Sequence, residues 1–541
     1  MFMDQGTKNA VDFQYIMNQI NVLTPYGTMF KGRMKPHKRG AERGLRNQLD
    51  MLESYIPYVK NNTIRREFNN ILSHMKDLRQ STKRAMDGFI LTDVELFEIK
   101  NFLYNLSHLK NLLDEYEIPD FPETRVEKIP QLESLLDPEE TGIATFYIYD
   151  AYSEELASIR KDKRDTDKQI RLEKKWIKDK VKEDLGLDLR PDNTVVVNRD
   201  NKEMLKTIKA YPYLTYFSET YLNIKFTIVP TDDLSKAERS LELLRDKEER
   251  EEMSIREELS KEVGKRRREL YRNMLAIGKL DLVLAKAKLA IDMDAAKPKI
   301  IDEHIINIKR GRHPKIEELL REKNLQFTPI SIKLGEGVAC ITGANMGGKT
   351  ISLKLVGMLA AMAHYGLYVP AESMEIGLSL YIKSSIGDMQ STDSGLSTFG
   401  GEVEVVSDAM KRSDEKGLIL IDELARGTNP EEGYAISKAI AIYLMDKPAI
   451  SLITTHYDNV ADIEGIQHLQ VVGLSELDVE TLSEEISEGD GMEIINKYMD
   501  YRLRVVDKST GIPRDAINIA RIMGLRPEIL KIAEIILTTN S

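Results

Sequence analysis

Apolar residues recur at three- and four-residue spacing through most of the first 125 positions. The clearest stretches are RGLRNQLDMLESYIPYV (43–59) and LTDVELFEIKNFLYNLSHLKNLLDEY (91–116), so residues 11–125 read as helical. Pro119, Pro122 and Pro130 punctuate the end of this region. From Ser153 to about Leu185 the pattern is that of a strongly charged helix, and a second long helix is predicted from about Leu234 to Met293. In the second, Ile255, Leu259, Val263, Leu270, Met274, Ile277 and Leu280 make a narrow stripe with charge elsewhere. At about 1.5 Å per residue this helix would extend about 85–90 Å, which suits a two-helix arm better than a globular core. Residues 186–230, rich in Val, Ile, Tyr and Thr with turn residues between, predict a small β-containing tip. Past residue 300 the pattern changes again. Short apolar runs (GVACI at 337–341, LILI at 418–421, AISLIT at 449–454) alternate with helical stretches such as ISLKLVGMLAAMAHYG (351–366) and NPEEGYAISKAIAIYLM (429–445). That alternation predicts an α/β domain with buried parallel strands.

Candidate chemistry sits where those strands end. ITGANMGGKT (341–350) follows the first apolar run and opens a helix, and its Gly343, Gly348, Lys349 and Thr350 have the P-loop spacing. Such a loop turns backbone N–H groups onto phosphate oxygens, with the lysine reaching the β/γ-phosphates and the hydroxyl placed for Mg²⁺. Asp422 and Glu423 end the second run, where two adjacent carboxylates are poorly explained by packing. In a P-loop ATPase the first holds the metal shell and the second polarises the attacking water. His456 ends the third run and is placed either to sense a γ-phosphate or as a satisfied structural histidine. Ser397 and Thr398 precede a predicted helix and read equally as helix caps or as anion contacts offered to a neighbouring chain.

Taken together, GRHP (311–314), TGANMGGKT, YVPAESMEIG (368–377), DSGLSTFGGEVE (393–404), DELARGT (422–428) and TTHYD (454–458) resemble, in order and spacing, the ATPase domain of the MutS family, a branch of the ABC-type ATPases. The resemblance implies an ABC-type P-loop ATPase domain at 301–510. It also implies a helical lever or core region at 1–125, long arms at 126–300 with a clamp-like tip at about 186–233, and a dimerising helix-turn-helix at 511–541. LTPYGTMFKGRM (23–34) extends the likeness, more weakly, to the front half. For the site it implies ATP and Mg²⁺ held by Gly343, Asn345, Gly347, Gly348, Lys349 and Thr350. Asp422 would sit in the metal shell, Glu423 would be the general base and His456 would lie on the γ-phosphate side. Ser397 and Thr398 would approach the ATP of the other subunit of a homodimer. Two departures stand out: Ala344 replaces the family's usual proline, and Gly400-Gly401 stands before Glu402 where a large apolar residue is usual. The family's mismatch readers also carry an N-terminal domain with a Phe-x-Glu wedge and a connector, for which the sequence leaves no room. Phe217-Ser218-Glu219, in the tip, reads as sheet packing instead.

Composition narrows the client only in part. The net charge of −11 and pI of about 5.5 do not favour a general polyanion binder. Basic clusters nonetheless occur at 31–46, 160–175 and 265–272; in the second, interspersed acids read as an ordinary solvated helix. Cys340 is the single cysteine, so no disulfide framework or cysteine-based metal site forms within one chain, which fits a reducing cytoplasm. No apolar run approaches the ~18 residues of a membrane span, and the start has no secretory pattern. Two clients remain open on the sequence. One is branched, damaged or otherwise bent DNA. The other is a protein such as an adenosylcobalamin-dependent aminomutase, which MutS-like proteins without a mismatch domain accompany as reactivating factors.

Overall fold

The computed structural model describes residues 1–143, 145–343, 348–387, 398–423, 429–474, 499–506 and 515–539. The chain forms two compact units. The first gathers Met1–Ser73, Leu113–Arg125 and Leu275–Ser541; the second gathers His74–Leu112 and Val126–Met274. No described helix is long and apolar enough to cross a membrane.

The second unit contains two long helices, Glu154–Leu185 and Asp232–Lys265. Their facing pairs, Arg160 with Glu252 at 2.7 Å and Lys174 with Glu238 at 2.8 Å, set them antiparallel. Both have an N-cap hydroxyl: Ser153 accepts from Leu156 N, and Thr231 from Leu234 N. Between them lie strands β1 (Thr194–Asn198), β2 (Leu214–Glu219) and β3 (Asn223–Ile228), antiparallel in the order β1-β3-β2. Ile170, Ile177 and Val181 of the outgoing helix share one core with Val195, Val197 and Phe226 of this sheet. Phe217 is not sheet packing. It falls at an irregularity in the β2–β3 register and is 59% exposed, with the Lys225 ammonium 5.5 Å from its ring centre.

The single helix expected over 234–293 is interrupted. Asp232–Lys265 ends at Arg266, and a new helix runs Arg267–Asp292. Arg266 still donates its N–H to Glu262 and Val263, so the break is one local turn. Just before it, Gly264 lies so close to Ala85 that a Cβ would meet that carbonyl oxygen at 2.7 Å. The far half of the second helix belongs to the first unit. There Asp281 is buried and accepts from Leu23 N at 3.0 Å and from Thr24 N and Thr24 Oγ1 at 2.7 Å. These bonds satisfy donors at the start of the helix Pro25–Gly32, and a buried N–H left unpaired costs about 1–3 kcal/mol. Lys286, fully buried, donates to the carbonyls of Tyr365 and Gly366 at 3.0 and 3.3 Å, at the end of the helix Lys349–His364.

The first unit has two sheets. Strands β4 (Lys299–Ile301), β5 (Ile306–Gly311), β6 (Ile330–Leu334) and β8 (Ser373–Gly377) form one, in the order β4-β8-β5-β6. The other comprises β7 (Gly337–Thr342), β9 (Ile382–Ser385), β10 (Leu418–Ile421), β11 (Ile450–Thr454), β12 (Gln467–Gly473) and β13 (Asp500–Val505), in the order β13-β12-β7-β11-β10-β9. Only β13 runs antiparallel to its neighbour. β7, β10 and β11 are buried throughout, which is why each reads as an unbroken apolar run.

The edge strand β9 is covered by the N-terminal residues. Phe2 O accepts from Ile382 N at 2.8 Å, and Lys383 bridges Asp4 and Asp408 at 2.8 and 2.6 Å. A covered edge leaves no free ladder for another strand to pair with. Further along, the basic segment 31–46 is partly committed to the fold. Lys31 donates to Ile20 O at 2.7 Å, Arg39 to Asp302 O at 3.1 Å, and Arg46 to Asp302 Oδ1 at 2.9 Å.

Candidate nucleotide site

The parallel strands all end on one side of the sheet, and the predicted residues follow three of those ends. β7 leads into the Gly-rich loop, whose residues 344–347, with Asn345 and Gly347, lie outside the described residues. The flanking glycines are described. Gly343 has φ +121° and Gly348 φ +78°, both in a region L side chains rarely adopt. Gly348 is the N-cap of the helix Lys349–His364, so the loop meets a helix N-terminus.

Asp422 follows β10 and sits half-buried between two hydroxyls. Thr350 Oγ1 donates to Oδ2 at 2.8 Å and Thr454 Oγ1 to Oδ1 at 2.6 Å. Burial raises this carboxyl above its ordinary range, against the two hydroxyl bonds that favour the charged form. Thr454 belongs to β11, which lies between β7 and β10, so it bridges the strand ends that carry the P-loop and the carboxylate. Glu423 is a non-glycine residue at φ +44°. Its backbone N–H donates to Thr454 O at 3.2 Å and Thr454 Oγ1 at 3.0 Å, which hold this sparsely populated conformation. The side chain then meets Lys349 Nζ at 3.4 Å and His456 Nε2 at 2.7 Å. Lys349, 2% exposed, also donates to Gly343 O at 2.7 Å and has His456 Nδ1 at 3.4 Å.

Lys349, Thr350, Asp422, Glu423 and His456 are thus brought together by contacts within hydrogen-bond or ion-pair reach. Ser397 lies outside the described residues, and Thr398 is described as the first residue of the helix Thr398–Met410. Thr454 was not singled out by sequence, because a threonine at a buried strand end has no signature until the strand order is known.

A cavity of about 300 Å³ opens beside the P-loop helix and touches Gly348, Lys349 and Thr350. Its far wall is apolar and aromatic, with Ile316, Leu320, Phe327 and Tyr501. Tyr501, on β13, approaches Gly348 so closely that a Cβ there would lie 3.2 Å from the ring. An apolar slot continuous with a phosphate loop has the shape and chemistry for a nucleobase. The sequence offered no signal for it, since its walls come from residues around 316–330 and 501.

At the C-terminal end, helices Asp515–Ile522 and Pro527–Thr539 flank the Gly-Leu-Arg-Pro break. Ile529, Ile532 and Ile536 stand exposed along the second.

The family model described as MutS domain V matches residues 339–528. A protein named Endonuclease MutS2 from Caldanaerobacter subterraneus subsp. tengcongensis is 30% identical over 517 residues, covering 90% of this chain and 58% of the relative. Its namesake from Halothermothrix orenii is 28% identical over 525 residues (89% and 61%), and that from Finegoldia magna 27% over 557 residues (99% and 65%). The chain therefore spans 58–65% of the length of these relatives. A helix behind a glycine-rich loop, paired carboxylates at the neighbouring strand end and these matches agree: residues 339–528 form a MutS domain V.

Proposed function

We propose that the chain is a Mg²⁺-dependent ATPase that works as a homodimer and couples ATP turnover to a lever-and-clamp grip on DNA. The observation that carries the chemistry is the Thr350–Asp422–Thr454 bridge with Glu423 held against Lys349 and His456. Lys349 binds the β/γ-phosphates from the start of the helix that follows Gly348. The pair Thr350 and Asp422 supplies two hard oxygen donors, which fits Mg²⁺, an ion that takes few protein ligands beside phosphate oxygens and water. A bound cation would also offset the burial that disfavours the Asp422 charge. When bound, Mg²⁺ neutralises charge on the phosphates. Glu423 takes the proton of the attacking water, and His456 orients the Glu423 carboxylate and reaches the γ-phosphate side. Phe327 and Tyr501 enclose the adenine.

Dimerisation is supported by the apolar face of Ile529, Ile532 and Ile536, which a helix in water would otherwise leave bare. In that dimer Ser397 and Thr398 complete the partner's ATP site. The long helices with their β tip form the arm that moves with nucleotide state. DNA as the client is supported by the family and by relatives named as endonucleases.

Two measurements test this reading. ATP turnover per chain should rise with protein concentration to a dimer plateau, and mixing Lys349→Ala chains with Ser397→Ala chains should restore about one working site per heterodimer. A monomer with undiminished turnover at low concentration excludes the composite site. Branched or bent DNA should stimulate turnover at low salt. Indifference to every DNA, with stimulation by an adenosylcobalamin-dependent aminomutase, would replace DNA by a protein client.

A further inference from the structure

We propose that Asp12 and Tyr15 are positioning residues for the nucleotide slot: they hold one of its walls against the P-loop helix, and so set how tightly ATP binds without taking part in its hydrolysis. This rests on reading the cavity beside Gly348 as the nucleobase slot. The residues concerned all belong to the first compact unit.

Two helices line the slot. Lys349–His364 contributes Lys349, Thr350 and Ile351, and Pro314–Glu322 contributes Ile316 and Leu320. The N-terminal segment bonds to both. Asp12, 8% exposed, accepts from Lys315 Nζ on Oδ1 at 2.5 Å and from Lys354 Nζ on Oδ2 at 3.3 Å. Lys315 belongs to the wall helix, and Lys354 lies one turn beyond Thr350 on the P-loop helix, so one carboxylate ties the two together. Tyr15 Oη adds a second tie to the wall helix, donating to Glu318 Oε2 at 2.6 Å. On the P-loop helix, Gly357 lets Val11 approach so closely that a Cβ would lie 2.6 Å from Val11 Cγ1, and the Phe13 ring stands 4.8 Å from Tyr365.

Helical spacing explains how the wall serves two neighbours. Ile316 and Leu320, four apart, share one face and meet the slot; Lys315 and Glu318, three apart, share another and meet the segment. Asp12 precedes the helix Phe13–Gln19 but makes no side-chain cap bond to it, and its backbone is held at φ +53°. Its side chain serves the two distant helices instead. His313, fully buried, places Nε2 3.7 Å from the same carboxylate and makes no ring hydrogen bond among the described residues. A carboxylate this buried must keep its partners, so the reach of two lysines to one group fixes the spacing of the helices. A slot preformed at that spacing receives a flat base at less ordering cost. Asp422, Glu423 and His456 are held by other bonds, so the chemistry is separate from this effect.

The test compares ATP with inorganic triphosphate, which engages the phosphate loop and leaves the slot empty. Both are titrated with Mg²⁺ into the full chain by calorimetry. The native chain should bind ATP more tightly. Asp12→Asn/Tyr15→Phe keeps the size of both side chains and suits the backbone at residue 12, since asparagine tolerates positive φ. It should bind ATP about tenfold more weakly, as expected for losing one charge-assisted bond, and bind triphosphate as before. Turnover at saturating ATP should be unchanged, so that KM rises alone. Lys315→Met breaks the same tie from the wall side, at a half-exposed residue, and should reproduce the ATP-specific loss even if the double variant folds poorly. Asp4→Asn removes a carboxylate of the same segment that pairs with Lys383 on β9, and should leave the ratio of the two affinities alone. Native ATP affinity in Lys315→Met and the double variant would overturn the positioning role while leaving the base slot intact. Equal loss of ATP and triphosphate, or a matching change of ratio in Asp4→Asn, would reduce the effect to general loosening and overturn it too. A native chain that binds triphosphate as tightly as ATP would remove the base slot, and this inference with it.

Discussion

Glu423→Gln is expected to bind ATP as well as the native chain and to hydrolyse it about 10²–10⁴-fold more slowly. That loss corresponds to about 3–5 kcal/mol of barrier. The substitution keeps the size of the side chain and removes only the charge that accepts a proton. The φ of +44° and the two bonds from the Glu423 N–H to Thr454 are backbone features, so glutamine inherits the same position. The Thr350–Asp422–Thr454 bridge does not involve the Glu423 side chain, so the metal shell should survive. Binding is measured by equilibrium titration with a fluorescent ATP analogue, and chemistry by single-turnover hydrolysis. Turnover within a few-fold of the native rate would remove Glu423 from the role of base. It would then move attention to His456, its partner at 2.7 Å.

Lys349→Ala should fail one step earlier, at nucleotide binding, with affinity falling on the order of 10²-fold as charge-assisted bonds to phosphate are lost. Lys349 is buried against Gly343 O, Glu423 and His456, so its removal takes the ammonium from the middle of the site. A binding defect must be separated from a folding defect, because removing Lys349 leaves Glu423 with fewer partners. Thermal unfolding with and without ATP does this. In the native chain the ligand raises stability by RT ln(1 + [L]/Kd), about 2.7 kcal/mol at a hundredfold excess over Kd. The variant should unfold cooperatively without ATP and gain little from it. A ligand-induced rise equal to that of the native chain would show that Lys349 does not hold the phosphates. Lys349→Arg should not rescue fully, since a planar guanidinium does not fit where a compact ammonium reaches the Gly343 carbonyl.

The charge of the front half needed the structure before it could be tested. Reversing Lys31, Arg33, Lys35, Lys38 and Arg39 together would disturb the fold, because Lys31 and Arg39 donate to backbone carbonyls.

By itself the sequence determined the local parts of this protein. Buried parallel strands are apolar throughout, amphipathic helices repeat every three or four residues, and a phosphate loop needs glycines at set distances from a lysine. Each is a constraint between near neighbours, so β7, β10, β11 and the helices after them were legible, with Lys349, Thr350, Asp422, Glu423 and His456 at their ends. The tertiary structure decided what depends on distant segments meeting. Strand order placed Thr454 between the P-loop and Asp422, and β13 carried Tyr501 to Gly348 across some hundred and fifty residues of chain. The close approach of Gly264 to Ala85 accompanies a break in a helix whose apolar stripe runs on through it. The basic residues at 160–175 looked like one mixed-charge run. Only the pairing of Arg160, Lys163 and Lys174 with the returning helix separated them from the exposed basic residues between them, because a side chain's partner is set by which helix lies opposite it and not by its neighbours in sequence.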